Sequence, residues 1–226
     1  MAILFDLDGT LLDTSHDIYY ALTALMKEEN KPVVSYDAIR PLISFGGKKI
    51  LNHAFNLDPE NNSNDSAYLD KILPRFWELN IGTNFKRAIA FPGINQLLDD
   101  LEKSKLTWGI VTNRIQSLTE PLLKSTGYFQ RPACIVNGDT TNNIKPHPEP
   151  LFYACNLLQT TPQQCLYIGD AENDIIAGKA AGMATMAVGF GFVPPGICIT
   201  SWNADYNALT ASEILPWIQK WSKSLN

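Results

Sequence analysis

The chain has 226 residues, 45% of them hydrophobic and 18% charged, with a formal net charge of −5. This length holds one large domain, or a domain with a smaller companion. Without any lysine or arginine run, the acidic balance argues against nucleic acid and against an anionic membrane surface. No apolar stretch reaches the length of a membrane span. Four cysteines without close pairing or metal spacing point to a reducing compartment, and the chain enters a strand at once with no room for a signal peptide. A cytoplasmic protein is expected.

The first element is Ala2-Ile3-Leu4-Phe5, a short apolar run that reads as a buried strand. Asp6-Leu7-Asp8-Gly9-Thr10 follows directly. Residues two apart on an extended segment point the same way, so Asp6 and Asp8 face one site at the strand's end. Gly9 gives the chain freedom to turn away. Two carboxylates, a permissive glycine and a hydroxyl suit cation binding and nucleophilic or acid–base work. An ordinary Asp-Gly turn is the competing reading. D-x-D-G-T arises by chance at a rate on the order of one in a thousand chains of this size.

From about Thr14 to Lys86 the pattern is helical. Ile18 to Lys27, Asp37 to Ile43, Lys48 to Phe55 and Ala67 to Leu79 carry helical spacing, with a polar loop over 61–65. Between two of these lies Ser44-Phe45-Gly46-Gly47-Lys48-Lys49, where paired glycines permit a close backbone approach. Phe91-Pro92-Gly93 marks the return to the first layer. Helical segments Ile94–Ser104, Leu118–Thr126, Pro148–Leu158 and Ala171–Gly182 then alternate with apolar runs Thr107–Thr112, Ala133–Val136, Cys165–Gly169 and Ala184–Val188. A last helix is expected over Ala211 to Lys223, with Trp217 and Trp221 one turn apart and packed on the sheet. Strands alternating with helices imply an α/β fold, a Rossmann-like parallel sheet with helices on both faces. The expected domains are a core of residues 1–14 and 87–226 and a small all-helical insertion of residues 15–86.

Three further candidates stand at strand ends. Thr112-Asn113-Arg114 offers a hydroxyl and a backbone N–H to a phosphoryl oxygen. Lys145-Pro146 precedes a helix. Gly169-Asp170-Ala171-Glu172-Asn173-Asp174 puts two more carboxylates on one side of a strand-to-helix turn. Alone, each has a plain alternative: a helix cap, a solvated lysine, or charge at a helix N-terminus. Carboxylates crowded at one point imply a hard, oxygen-loving cation, and Mg²⁺ is the natural choice.

Taken together and in this order, these four motifs resemble those of the haloacid dehalogenase superfamily of phosphatases, and the helical insertion resembles its cap domain. The likeness covers essentially the whole chain. It implies Asp6 as a nucleophile forming an aspartyl-phosphate, and Asp8 as the acid and base that the family's dehalogenases lack. It places Mg²⁺ on Asp6, the Asp8 backbone carbonyl and Asp170, with Asp174 orienting metal-bound water. Thr112, Asn113 and Lys145 hold the phosphoryl oxygens. Asp13-Thr14, Phe91-Pro92-Gly93 and Thr112-Asn113-Arg114 are similar to the phosphoglycolate phosphatase branch. Segments 43–47, 55–60, 108–113 and 145–151 are more similar still to the N-acetylmuramic acid 6-phosphate phosphatases. His147 departs from the more usual Asp after Lys-Pro. The loop matching residues 44–49 faces the active site in that family, which makes Phe45, Gly46, Gly47 and Lys48 the expected substrate contacts.

The expected function is phosphate release from a small phosphorylated metabolite. A phosphosugar mutase keeps the chemistry but needs a longer-lived aspartyl-phosphate. A non-catalytic module on this scaffold would be expected to lack Asp6, Asp8 or Asp170. The oligomeric state and the ester are left open by the sequence.

Overall fold

The computed structural model describes residues 1–224. Ala2–Phe5 (β1) is wholly buried and is followed by Leu12–Asp13 (β2). The insertion holds Ser15–Glu28 (α1), Tyr36–Ile39 (α2), a 3₁₀ turn over Arg40–Phe45, Gly47–Phe55 (α3) and Ser63–Gly82 (α4). Ile89–Ala90 (β3) pairs antiparallel with β2, a two-stranded ribbon at the root of the insertion. Then come Ile94–Lys103 (α5), Thr107–Val111 (β4), Gln116–Thr126 (α6), Ile135–Val136 (β5), Glu149–Leu158 (α7), Cys165–Gly169 (β6), Glu172–Ala181 (α8), Ala184–Val188 (β7), Tyr206–Ala208 (β8) and Ile214–Ser224 (α9).

The main sheet has the order β5-β4-β1-β6-β7-β8, with every neighbouring pair parallel. Strand β1 thus lies between β4 and β6. Its Leu4 is level with Gly109 on one side and Tyr167 on the other. That register brings the C-terminal ends of β1, β4 and β6 to one edge, the place where open parallel sheets bind ligands.

Four expected strands and four expected core helices are present within a few residues. The expected Ala133–Val136 strand is confined to Ile135–Val136, although Ala133 N still donates to Trp108 O at 2.8 Å and Ile110 N to Cys134 O at 2.9 Å. The expected helix over Asp37 to Ile43 is divided. Pro41 has no N–H and fits only an early helical position, so α2 ends and a 3₁₀ turn begins. Strand β8, whose Tyr-Asn-Ala has no apolar run, and the two-residue ribbon strands carry no pattern that would announce them. Trp217 stacks on Tyr206 of β8 at 5.4 Å and Trp221 on Trp217 at 6.0 Å, so both belong to the packing at the sheet edge.

The apolar core is continuous between layers. Phe5 and Leu7 from the first strand and its turn join one cluster with Leu22 and Leu25 of α1, Leu51 of α3 and Phe76 of α4. Helix α4 lies along α1, where Arg75 meets Glu28 at 2.8 Å and Tyr68 donates to Glu29 at 3.0 Å. The insertion is therefore held over the C-terminal edge of the sheet by shared apolar burial, the dominant favourable term in such packing.

Candidate active site

Asp6 leaves β1 with its N–H donating to Ile168 O at 2.9 Å, so the sheet ladder itself aims it at the edge. The turn that follows depends on Gly9, at φ +92°. A Cβ there would lie 2.1 Å from Asp170 Oδ2, so the turn needs both glycine's freedom and its lack of a side chain. Strand β6 delivers Asp170 alongside. Thr10 Oγ1 donates to its Oδ1 at 3.2 Å, and Phe192 N and Ser44 Oγ donate to its Oδ2 at 2.8 and 2.9 Å. Ser44 belongs to the insertion, so the two layers meet on this carboxylate.

Lys145 is the hub of the floor and is 3% exposed. Its Nζ lies 2.8 Å from Asp6 Oδ1, 2.8 Å from Asp174 Oδ1, 3.0 Å from Val111 O and 2.6 Å from Tyr167 Oη. The surface-lysine alternative is excluded by that burial. Asn113 fixes the lysine's backbone on both sides: its Nδ2 donates to Lys145 O at 2.9 Å and its Oδ1 accepts from Lys145 N at 3.0 Å. Thr112 is buried at the end of β4, and its Oγ1 accepts from Arg114 N at 3.1 Å. Asp174 also accepts from Ala171 N at 3.1 Å, tying α8 to the strand end.

Burial raises the Asp6 pKa well above the carboxylate range, and the Asp174 and Asp170 charges add to this while Lys145 opposes it. Burial and Asp174 push Asp170 up to about 7 against its hydrogen bonds. For Lys145, burial disfavours the charge, but Asp174 and Asp6 outweigh it and raise the pKa. One oxygen from each of Asp6, Asp170 and Asp174 lies within 4.8 Å of the others. Of these three buried carboxylates only Asp6 and Asp174 meet the Lys145 ammonium, and an all-oxygen donor set with excess negative charge fits a hard divalent cation. Asp174, expected to act through a water, stands within this cluster. The Asp8 side chain is directed elsewhere.

Asp8 is engaged by Arg114, which the sequence marked only as part of a branch signature. Arg114 Nε donates to Asp8 Oδ2 at 3.0 Å and Nη2 to Oδ1 at 2.8 Å, and Thr14 Oγ1 also donates to Oδ1. Burial alone would raise the Asp8 pKa, but Arg114 and then Thr14 overcome it and hold it below the usual value. Tyr167 is the other residue that sequence reasoning passed over. It is a fully buried tyrosine in an otherwise aliphatic strand, and its phenol must find polar partners, which is the one signal that could have exposed it.

The pocket above this floor is a cavity of about 130 Å³. Its far wall comes from the insertion and is mostly apolar, with Ile18, Ile43, Ile50, Phe76 and Trp77. Ser44, Gly46 and Gly47 reach the pocket. Phe45, 45% exposed, and the exposed Lys48 lie outside its lining. The structure brings together Asp6, Asp8, Thr112, Asn113, Lys145 and Asp174 at one pocket, with Asp170 bonded at its base.

Residues 3–188 match the family of haloacid dehalogenase-like hydrolases. The chain belongs to that family. This haloacid dehalogenase-like hydrolase is 37% identical over 204 residues to the N-acetylmuramic acid 6-phosphate phosphatase of Pseudomonas putida, covering 90% of this chain and 89% of that one. It is also 37% identical over 207 residues to the phosphoglycolate phosphatase of Xanthomonas campestris, covering 90% of each. Among solved structures, it superposes with a TM-score of 0.84 on a "predicted phosphoglycolate phosphatase" of Haemophilus somnus, at 25% identity and covering 96% and 97% of the two chains. A haloacid dehalogenase-like hydrolase of Streptococcus pneumoniae gives 0.82 at 24% identity, a likeness of fold, over 96% of this chain and 98% of that one. Among the described residues, no helix is long and apolar enough to cross a membrane.

Proposed function

We propose that this hydrolase is a Mg²⁺-dependent phosphoric monoester hydrolase acting on a small phosphorylated metabolite in the cytoplasm. The observation that carries the reading is Asp6 held against Lys145 and Asp174 at the floor of a pocket that Asp8 also lines.

In this reading an Asp6 oxygen attacks phosphorus in line with the ester oxygen. The P–O ester bond breaks, its electron pair goes to the alcohol oxygen, and Asp8 supplies that oxygen with a proton. The product on the enzyme is an aspartyl-phosphate. Asp8, now ionised, takes a proton from water as the water oxygen attacks phosphorus, which frees Asp6 and inorganic phosphate. Arg114 holds Asp8 in the ionised form that the second half requires. An entering phosphoryl dianion favours the protonated form that the first half requires. The Thr112 hydroxyl, the Asn113 N–H and the Lys145 ammonium hold the equatorial oxygens as charge shifts in the transition state. Asp6, Asp170 and the Asp8 backbone carbonyl would hold the cation, with Asp174 beside them, and its charge would reduce repulsion between carboxylate and phosphate.

The floor recognises only a phosphoryl group, so the choice of ester falls to the helical insertion, residues 15–86, acting as a cap. Gly46 and Gly47 are its substrate-facing backbone. Phe45 and Lys48 reach a ligand only if the cap shifts. The candidate substrates are phosphoglycolate and N-acetylmuramic acid 6-phosphate, after the two relatives. A cavity of about 150 Å³ takes a single six-carbon ring, so the present pocket suits a two- or three-carbon ester, and a phosphosugar requires the cap to move outward.

The test is phosphate release across a panel of phosphomonoesters, comparing those two by kcat/KM with Mg²⁺ and after EDTA. Release abolished by chelation and restored by Mg²⁺ is expected. Interconversion of phosphosugar isomers without phosphate release would favour the mutase reading, and no turnover of any ester would overturn the proposal.

A further inference from the structure

Beyond the phosphoryl floor, the pocket holds one more cation, Arg114, whose side chain is 6% exposed. A guanidinium has five N–H groups and no acceptor. Two are given to Asp8, and a third goes from Nη1 to Asn80 Oδ1 at 3.2 Å. Two N–H groups are left, one on Nη1 and one on Nη2. Asn80 of α4 is 3% exposed and lines the same pocket. Because Arg114 only donates, the Asn80 oxygen must face it, which fixes the amide's orientation. The Asn80 Nδ2 is then a buried donor with no hydrogen-bond partner. A buried unpaired polar group is costly, so a native structure retains one only where something compensates.

The donors therefore converge from two layers. Arg114 comes from the loop after β4, and Asn80 from the insertion. What is left over locally is N–H, two on Arg114 and those of Asn80 Nδ2, while the guanidinium charge is matched by Asp8 until Asp8 takes up a proton. The Phe85 ring lies 5.9 Å from the guanidinium carbon and backs it on the side of the insertion. A planar fork beside an amide matches a carboxylate, which takes paired N–H donors in its own plane.

We propose that Arg114 and Asn80 form a carboxylate subsite, and that the preferred substrate is a phosphomonoester carrying a carboxylate close to its ester oxygen. This rests on the phosphatase reading above, which places the ester oxygen at Asp8. Arg114 is bonded directly to Asp8, so the guanidinium stands beside the first carbons of the leaving alcohol. A carboxylate one or two carbons from the ester oxygen reaches it, and the small cavity excludes a long spacer. Arg114 is then a specificity residue with a second task of holding Asp8. Asn80 meets the guanidinium through its oxygen and offers its Nδ2 to the carboxylate.

The experiment compares 2-phosphoglycolate with 2-hydroxyethyl phosphate, which keeps the spacing and replaces the carboxylate by an alcohol. Wild type should favour the carboxylate by about 10- to 100-fold in kcat/KM, the scale of a charge-assisted hydrogen-bonded pair. Asn80→Leu should cut that ratio about tenfold, and since it also removes a partner of Arg114 the ratio, not the absolute rate, is the readout. Arg114→Gln should bring the ratio close to one while lowering both rates, because it also releases Asp8. Binding is measured separately by calorimetry, with 3-phosphonopropionate against propylphosphonate in the presence of Mg²⁺. The first should bind more tightly to wild type and lose that advantage in both variants. A wild-type ratio near one, a ratio untouched by both variants, or a stronger preference for a bisphosphate than for the carboxylate would each overturn the subsite. If no ester is hydrolysed but the phosphonocarboxylate advantage persists and depends on Arg114 and Asn80, the subsite stands and the catalytic reading fails.

Discussion

The floor and the roof of the pocket are built on different physics. On the floor, every functional side chain is tied down. Lys145 meets four oxygens, Asp170 accepts three hydrogen bonds, and Asn113 clamps the lysine's backbone from two sides. The roof over the pocket is mostly apolar, with Gly46 and Gly47 among its lining. Its polar contacts to the core include Ser44 to Asp170, Asn80 to Arg114 and Arg40 to Gly191 O at 3.2 Å. A site that stabilises developing charge must be preorganised, because reorganising dipoles during reaction costs rate. A site that admits and releases an ester must open, so weakly bonded apolar packing is the better material. In the proposed reading, the floor carries the chemistry and the roof the choice of ester.

Breaking the floor should give the largest effects. Asp6→Asn should lower turnover by about 10⁴-fold or more, the scale of losing a nucleophile, with circular dichroism and melting close to wild type. A loss under tenfold would remove Asp6 from the nucleophile's place. Asp8→Ala should cost about 10²–10⁴-fold, and rapid-quench kinetics should show both phosphorylation and hydrolysis slowed. A pH–rate profile unchanged in shape and height would contradict that role.

Lys145→Met separates charge from packing. It leaves Asp6 and Asp174 without their shared counterion, and removing one partner of a buried pair costs about 3–5 kcal/mol. Denaturant titration without metal should show that loss, and added Mg²⁺ should recover part of it. Wild-type stability and kinetics together would show the hub to be dispensable.

The roof should respond selectively. A Cβ on Gly47 would come within 3.4 Å of Leu73, Phe76 and Trp77, so Gly47→Ala should be tolerated while Gly47→Leu should crowd the cap. Gly47→Leu should depress kcat/KM for the preferred ester about tenfold more than for p-nitrophenyl phosphate, the discrimination expected of a steric change in a pocket. Equal losses on both would move the selector elsewhere in the cap.

The smallest effect sharpens the electrostatic side. The folded-state pKa of Asp170, about 7, exceeds its ordinary 3.8. Between those values the unfolded chain binds fewer protons, so the metal-free protein loses stability as pH rises through that window. A cation on the ionised carboxylates offsets this. The rise in Tm on adding Mg²⁺ should therefore be larger at about pH 8 than at about pH 5. A Tm shift independent of pH would separate Asp170 from the cation.

Much of the floor was legible from the chain alone, for local reasons. Asp6, Asp8, Thr112, Lys145 and Asp170 each stand next to a punctuating signal: an apolar strand just ended, a Gly, or a Pro. Those signals depend on neighbours in sequence, as does the alternation of strands and helices. The tertiary structure decided the rest. Lys145 finds Asp6 across 139 positions and Arg114 finds Asp8 across 106, and no local pattern encodes either pairing. They exist because β1 lies between β4 and β6, which sets three strand ends side by side and makes buried charges choose partners from different segments. The same holds for Tyr167, whose buried phenol meets the lysine, Val111 O and Asp174 only in the folded chain. It holds too for the loop at 44–49, where the expected contacts were Phe45, Gly46, Gly47 and Lys48, and packing turned Gly46 and Gly47 to the pocket with Ser44 and left Phe45 and Lys48 exposed. Local propensity can be read from neighbouring residues, but which charge meets which is settled by sheet order and burial.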